Sequence, residues 1–316
     1  MTVDEKLLPK TDMPDTTIYT HKRLRAIWEM GRLHTREIWL IVCPALWGAS
    51  IGANAGETSG WSLTWALFGV FASTGLSHVA FCTWNDICDV EYDKQVERCK
   101  TRPLPSGLIS RKEAAVVFLG ELLLCAGVTW LTLGPQATLA ITPAWLLGFI
   151  YPFMKRIMPF PQVVVGFSVA SGVMPGYVAV RGTLEFTDSL LALFAATTCW
   201  IIFIDTAYAI QDMLDDAKAG VQSLAVFLGQ RVRWFLALSA GITIILFAVA
   251  TFLSSLSLFY WIFGVGIWAV RMMRSLYFLD LSDTASAGHV FKSNIESGLH
   301  FTIVTLVEGY LQACVF

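Results

Sequence analysis

Nine apolar segments, each roughly long enough to cross a bilayer, limit what this chain can become. They cover residues 38–53, 61–81, 114–133, 137–153, 161–180, 190–210, 234–253, 256–270 and 299–316. The whole chain is 55% hydrophobic and only 15% charged, against about a quarter charged for a soluble globule. Runs of this length and number predict an all-α membrane protein with nine transmembrane helices.

Positive charge tests the count. If residues 1–37 lie in the cytoplasm, nine spans put 85–113, 154–160, 211–233 and 271–298 there too. Of the 22 Lys and Arg residues, only Arg181 falls in the opposite set of loops. Eight spans would break that alternation, so the asymmetry supports both the count and the orientation. All sizeable polar loops then share one face, where chemistry on a charged substrate is expected. A net charge of −2 offers no basic field for nucleic acid. The seven Cys show no C-x-x-C pair or metal-type spacing. Residues 1–20 carry Asp4, Glu5, Asp12 and Asp15 and no long apolar core. They are expected to form a disordered tail ahead of a single transmembrane domain at 21–316. The tail matches neither a secretory signal nor a mitochondrial transit peptide.

One charged stretch follows the second apolar segment directly. Asn85, Asp86, Asp89, Glu91 and Asp93 fall within nine residues, and Asn85, Asp89 and Asp93 share one helix face. Alone, such a stretch is most simply the solvated end of a helix. Like charges at that spacing repel, and a hard cation such as Mg²⁺ would relieve them by bridging carboxylates to phosphate oxygens. A second stretch, Asp212, Asp215 and Asp216, follows the sixth segment on the same face. Each leads into a basic loop containing Gly. This is a weak internal duplication, two four-helix halves plus one extra helix. Asp205 lies further inside the sixth segment, where a charge costs roughly 2.5–3.5 kcal/mol and should face a polar cavity. Asp205, Tyr208, Asp212 and Asp216 form one stripe. Candidate phosphate-binding residues are Arg102, held by the turn Pro103-Leu104-Pro105, and Lys155 after Tyr151. Lys94, Lys218 and Arg32, with Arg36 and Arg156, lie in the same loops.

These motifs resemble those of UbiA-type membrane prenyltransferases. The first signature is matched by Asn85-Asp86-x-x-Asp89-x-x-x-Asp93, continued by Arg102-Pro103-Leu104 and Ser106-Gly107. Tyr208-Ala209-x-x-Asp212-x-x-Asp215-Asp216-x-Lys218-x-Gly220 is similar to the second. Tyr151-Pro152-Phe153-Met154-Lys155-Arg156 is similar to the 4-hydroxybenzoate polyprenyltransferase branch. The resemblance implies nine helices around a central cavity and Mg²⁺-dependent transfer from an isoprenyl diphosphate to an aromatic acceptor. It implies that Asn85, Asp89, Asp93, Asp212 and Asp216 hold the Mg²⁺–diphosphate, with Asp86 and Asp215 as accessories. Two departures stand out: the family's Lys-Pro-x-Gly is here Thr35-Arg36-Glu37-Ile38, and its Lys before Ser223 is Gln222. With the missing transit signal, they point from ubiquinone synthesis towards fungal meroterpenoid enzymes that farnesylate a polyketide-derived phenol or pyrone. An endomembrane such as the endoplasmic reticulum is then the expected location. In this reading Tyr151 and Tyr208 shield an allylic cation, and Asp205 binds the acceptor hydroxyl or takes a proton. A terpene cyclase of the same family and a cation-coupled transporter are the competing readings. Acids gathered at one face rather than at the midplane favour the enzyme.

Overall fold

A computed structural model describes residues 16–56 and 58–313. Every regular element among them is helical. Residues 16–20 of the expected tail already belong to α1 (Thr16–Met30), and residues 1–15 lie outside the described residues.

Each apolar segment falls in helix, but the boundaries differ from a simple series of nine. α2 (Ile38–Asn54) is buried on every side from Val42 to Ala53, as expected of a helix with no polar stripe. α3 (Gly60–Asp93) starts at Ser59, whose side chain accepts from the Ser62 amide, and runs unbroken through the first acidic stretch. α4 (Arg111–Ile157) is 47 residues long and opens with a capping box between Ser110 and Glu113. A straight helix of that length would extend about 70 Å. Yet Arg111 at its start pairs with Glu91, and Arg156 at its end pairs with Asp89. Both partners lie at the same end of α3, so α4 must double back. The reversal is at Gly134, with φ 78° and ψ 179°. α4 is therefore a hairpin that contains both the third and the fourth apolar segments.

The fifth segment divides at Ser171-Gly172 into α5 (Pro161–Ala170) and α6 (Val173–Arg181). α6 crosses α2 backbone to backbone: a Cβ on Gly48 would strike the Val173 carbonyl, and one on Gly176 the Ala45 carbonyl. Small residues permit such an approach inside a membrane. α7 (Asp188–Ala209) is capped by Thr187 and carries the sixth segment. The short α8 (Met213–Ala219) and α9 (Leu224–Leu228) lead into α10 (Val232–Leu253). The eighth segment forms a π-helical stretch, Tyr260–Gly266, followed by α11 (Ile267–Tyr277). α12 (Thr284–Ala313) begins well before the ninth segment, whose last residues, 314–316, lie outside the described residues. Among the described residues five helices are long and apolar enough to cross a membrane by length and composition, counting the α4 hairpin, α5–α6 and residues 224–253 as one each.

The interior centres on an aromatic knot. Trp47, Trp200, Trp268, Phe247 and Phe301 come from α2, α7, α11, α10 and α12, and all are essentially inaccessible. Their ring centroids lie 4.8 to 5.7 Å apart, in tilted or edge-on arrangements. Outward, Leu119, Leu123, Leu131, Leu139 and Leu146 of α4 are exposed, which suits a lipid-facing surface.

Candidate active site

A cavity of about 330 Å³ opens where α3 and α7 end on the same face. Its mouth is charged and its depth is mostly apolar, with Leu40, Ile141, Val165, Val169 and Ile201 in the walls.

α3 supplies the first acidic group. Asn85, Asp89 and Asp93 line the cavity as one helical stripe. Asp89 is 5% exposed and receives Lys155 Nζ at 2.8 Å and Arg156 Nη2 at 3.3 Å. Lys155 also reaches Asn85 Oδ1 at 3.5 Å and lies 5.2 Å from the Tyr151 ring centre. Asp93 pairs with Arg102 Nη1 at 2.8 Å. Arg102 is held by its turn: Leu104 is buried against Val90, Ile109 and Ala114, and Gly107 takes the left-handed conformation, φ 78°. Asp86 does not line the cavity. It is buried behind the wall and receives Arg32 Nη2 at 3.0 Å and Arg102 Nη1 at 3.5 Å. Arg32 takes a left-handed conformation, φ 53°, rare for a side chain of its size. Ion pairs to Asp86 and to Glu37, at 3.1 Å, hold it there. Burial works against the Glu37 charge, but the Arg32 guanidinium outweighs it and holds the carboxyl below the usual range.

The second group is built differently. α7 stops at Ala209, and Asp212 sits in the non-helical link before α8. Arg98 grips Asp212 with two hydrogen bonds, 2.6 and 3.2 Å, and its guanidinium lies 5.0 Å from the Tyr208 ring centre. Asp216 lines the cavity one turn further on. Burial, and then the Asp212 charge, push its carboxyl up to about 6. Asp205 lies deeper and is hydrogen-bonded to Gln162, whose Oε1 accepts from the Leu224 amide.

The cavity thus brings together Asn85, Asp89, Asp93, Asp212, Asp216, Arg32, Arg102, Lys155, Tyr151, Tyr208 and Asp205. It does not include Lys94, Lys218, Asp215 or Arg36. Lys94 turns back to Glu91 and Lys218 to Asp215, each three residues away and well exposed, because the nearest opposite charge lies on the same turn. Arg36 pairs with Glu296 at the surface. Arg98 and Gln162 also line the cavity; Arg98 lies in no motif, and Gln162 lies in the run Pro161-Gln162-Val163-Val164-x-Gly166, similar to the 4-hydroxybenzoate polyprenyltransferase branch, without being a candidate site residue there. Arg98 shares its loop with Lys94 and Lys100, and spacing alone does not separate the three. Gln162 follows a Pro at a helix start and reaches the site only through tertiary packing.

The lining charges decide what can bind. Five basic side chains (Arg32, Arg98, Arg102, Lys155, Arg156) face six acidic ones (Glu37, Asp89, Asp93, Asp205, Asp212, Asp216). A diphosphate would add further negative charge to a site that has no positive surplus, a charge that divalent cations entering with it would offset. The oxygen-only donor set of Asn85, Asp89, Asp93, Asp212 and Asp216 suits Mg²⁺. Among the described residues no three His, Cys, Asp or Glu side chains converge on one point. An ion here would therefore take one or two protein oxygens and complete its shell from phosphate, as Mg²⁺ commonly does.

Residues 41–298 match the UbiA prenyltransferase family. Polyprenyl transferase macG of Penicillium terrestre is 48% identical over 292 residues, covering 91% of each chain. Polyprenyl transferase yanG of Aspergillus niger is 46% identical over 298 residues, covering 90% of each. The structure of a UbiA homolog from Archaeoglobus fulgidus bound to GPP and Mg²⁺ superposes with a TM-score of 0.66 at 20% identity, over 88% of this chain and 99% of that one. The chain belongs to the UbiA prenyltransferase family and is a membrane-bound transferase of prenyl groups.

Proposed function

We propose that the chain transfers an isoprenyl group, farnesyl in the first instance, from its diphosphate to a hydroxylated aromatic or pyrone acceptor of polyketide origin. The observation that carries this reading is the balanced charge at the mouth of an otherwise apolar cavity. That arrangement has room for a metal-bound diphosphate above and a hydrocarbon tail below. The names of the fungal relatives support a prenyl substrate, and the GPP- and Mg²⁺-bound homolog supports the metal. The proposed topology is nine passes in a single domain, 21–316, as two four-helix halves plus one. The proposed location is an endomembrane, with the mouth facing the cytosol.

Asn85, Asp89, Asp93, Asp212 and Asp216 would hold the cations. Asp86 would orient Arg32 and Arg102 from behind, and Asp215 lies outside the contact set. Mg²⁺ held there would supply charge neutralisation of the diphosphate and so a better leaving group. Lys155, Arg102 and Arg98 would exchange the Asp89, Asp93 and Asp212 carboxylates for phosphate oxygens while Asp86 keeps hold of Arg32 and Arg102, so charge developing on the departing diphosphate meets positioned donors. Tyr151 and Tyr208 turn aromatic faces towards the ionising carbon and favour the allylic cation without reacting with it. The apolar walls keep water from capturing that cation before the ring does.

The test uses membranes carrying the full chain, labelled farnesyl diphosphate and 5-methylresorcinol. A prenylated ring and released diphosphate are expected, and EDTA should abolish both. An EDTA-insensitive rate would overturn the metal-bound diphosphate. Consumption of the diphosphate with no acceptor product would favour the cyclase.

A further inference from the structure

The two acidic groups have a deeper echo. His78 lies seven residues before Asn85 on α3, and Asp205 lies seven before Asp212. Seven helical residues span about 10 Å, so each sits roughly two turns inside the mouth. Both line the same cavity. Their surroundings differ. Asp205 is engaged by Gln162. His78 is 7% exposed, and its only hydrogen-bond partner among the described residues is the Cys82 thiol, 3.6 Å from one ring nitrogen and 3.8 Å from the other. Sulfur is a weak partner. A buried imidazole facing a cavity with so little to bond to is a polar group lacking a ligand. The charged groups in electrostatic reach of His78 are Glu37 and Arg32. Those two are ion-paired to each other at 3.1 Å and act on the ring in opposite senses.

We propose that His78 is the acceptor-binding residue of this site, accepting a hydrogen bond from the ring hydroxyl and taking its proton as the ring attacks. This rests on the prenyl-transfer reading above. His78, Cys82, Asn85 and Asp89 lie at i, i+4, i+7 and i+11, one stripe from the cavity wall to the mouth. A diphosphate at Asn85 and Asp89 leaves the length between Cys82 and His78 for the ionising carbon and one aromatic ring. In the reaction the ring carbon bonds to the allylic carbon. The carbon–oxygen bond to the diphosphate breaks, and its electron pair leaves with the diphosphate. The hydroxyl proton passes to His78. The resulting dienone then loses its ring proton and regains one on oxygen, so one proton is released for each group transferred.

The experiment crosses a change in the enzyme with a change in the acceptor. Membranes with the native chain, His78→Phe or His78→Gln receive farnesyl diphosphate and either 5-methylresorcinol or its dimethyl ether. Each variant is also tested for thermal stabilisation by farnesyl thiodiphosphate with Mg²⁺. In the native chain, masking the hydroxyls should cost about a hundredfold in kcat/KM, the lower end of the range for positioned proton transfer. In His78→Phe the rate on 5-methylresorcinol should fall by a similar factor, while masking the hydroxyls costs little more. The apparent KM for farnesyl diphosphate should stay unchanged. His78→Gln should recover acceptor KM and not kcat. The proposal fails if the two penalties multiply, or if His78→Phe loses the thermal shift, which would make the residue structural. If the native chain transfers farnesyl to neither compound nor to other hydroxylated rings, the prenyl-transfer reading itself fails.

Discussion

The end of α3 and the end of α7 carry the same residue types at similar spacing but are built in opposite ways. α3 continues as unbroken helix through Asp93, and its three aspartates are 2 to 8% exposed and already paired with bases from three other segments. α7 stops short of its acids. Asp212 stands in a link, Asp216 on a seven-residue helix, and Gly220 closes that helix in the left-handed conformation, φ 71°. One group is a preset cradle. The other is a jointed segment whose Asp212 is held by Arg98, 40% exposed, and whose far end is tied down by the Gln222 amide to the Lys155 carbonyl and the Leu224 amide to Gln162. Similar sequence signatures therefore mark two different constructions, one a continuous helix and one a link followed by a short helix.

Breaking the cradle should cost most. Asp89→Ala strips the shared counter-charge from Lys155 and Arg156, and kcat/KM for farnesyl diphosphate should fall roughly a thousandfold in membrane assays. Asp212→Ala removes a cation-holding oxygen but frees a single base, Arg98, which can turn to solvent, so roughly a hundredfold loss is expected. An equal loss in both would erase the contrast between the two ends. Gly220→Ala sharpens it. A left-handed alanine costs about 1 kcal/mol, so a several-fold drop in kcat/KM should appear without touching any ligand oxygen. Gly107→Ala, in the turn that carries Arg102, serves as the comparison on the cradle side. At the bottom of the series, Lys94→Ala and Lys218→Ala remove only exposed pairs on their own turns, and initial rates should change by less than about twofold.

Much of this was legible in the sequence because helical spacing converts directly into direction. Asn85, Asp89 and Asp93 line the cavity as their four-residue spacing predicts, and Asp205, Tyr208, Asp212 and Asp216 all reach it even though the helix breaks after Ala209. Loops were less legible. Lys94, Lys218 and Arg98 have the same charge and a similar distance from an acid, and which one turns inward depends on packing that spacing does not encode. Helix limits were hidden for another reason. Gly134-Pro135 looks like a plain loop, but the helical hydrogen-bond pattern resumes at once, so the third and fourth segments meet across one left-handed glycine. Gly172 hides the reverse case, a break within one apolar run.

The aromatic knot has an optical consequence. Trp47, Trp200 and Trp268 bring three indoles within 5.0 to 5.7 Å of one another, close enough for their excited states to couple. Trp200 belongs to α7, the helix that also carries Asp205 and Tyr208. Any tilt of α7 on substrate binding must change that coupling and hence the near-ultraviolet circular dichroism of the unlabelled protein. The chain thus contains an intrinsic chiroptical gauge of the position of α7, readable in a detergent micelle with no probe attached.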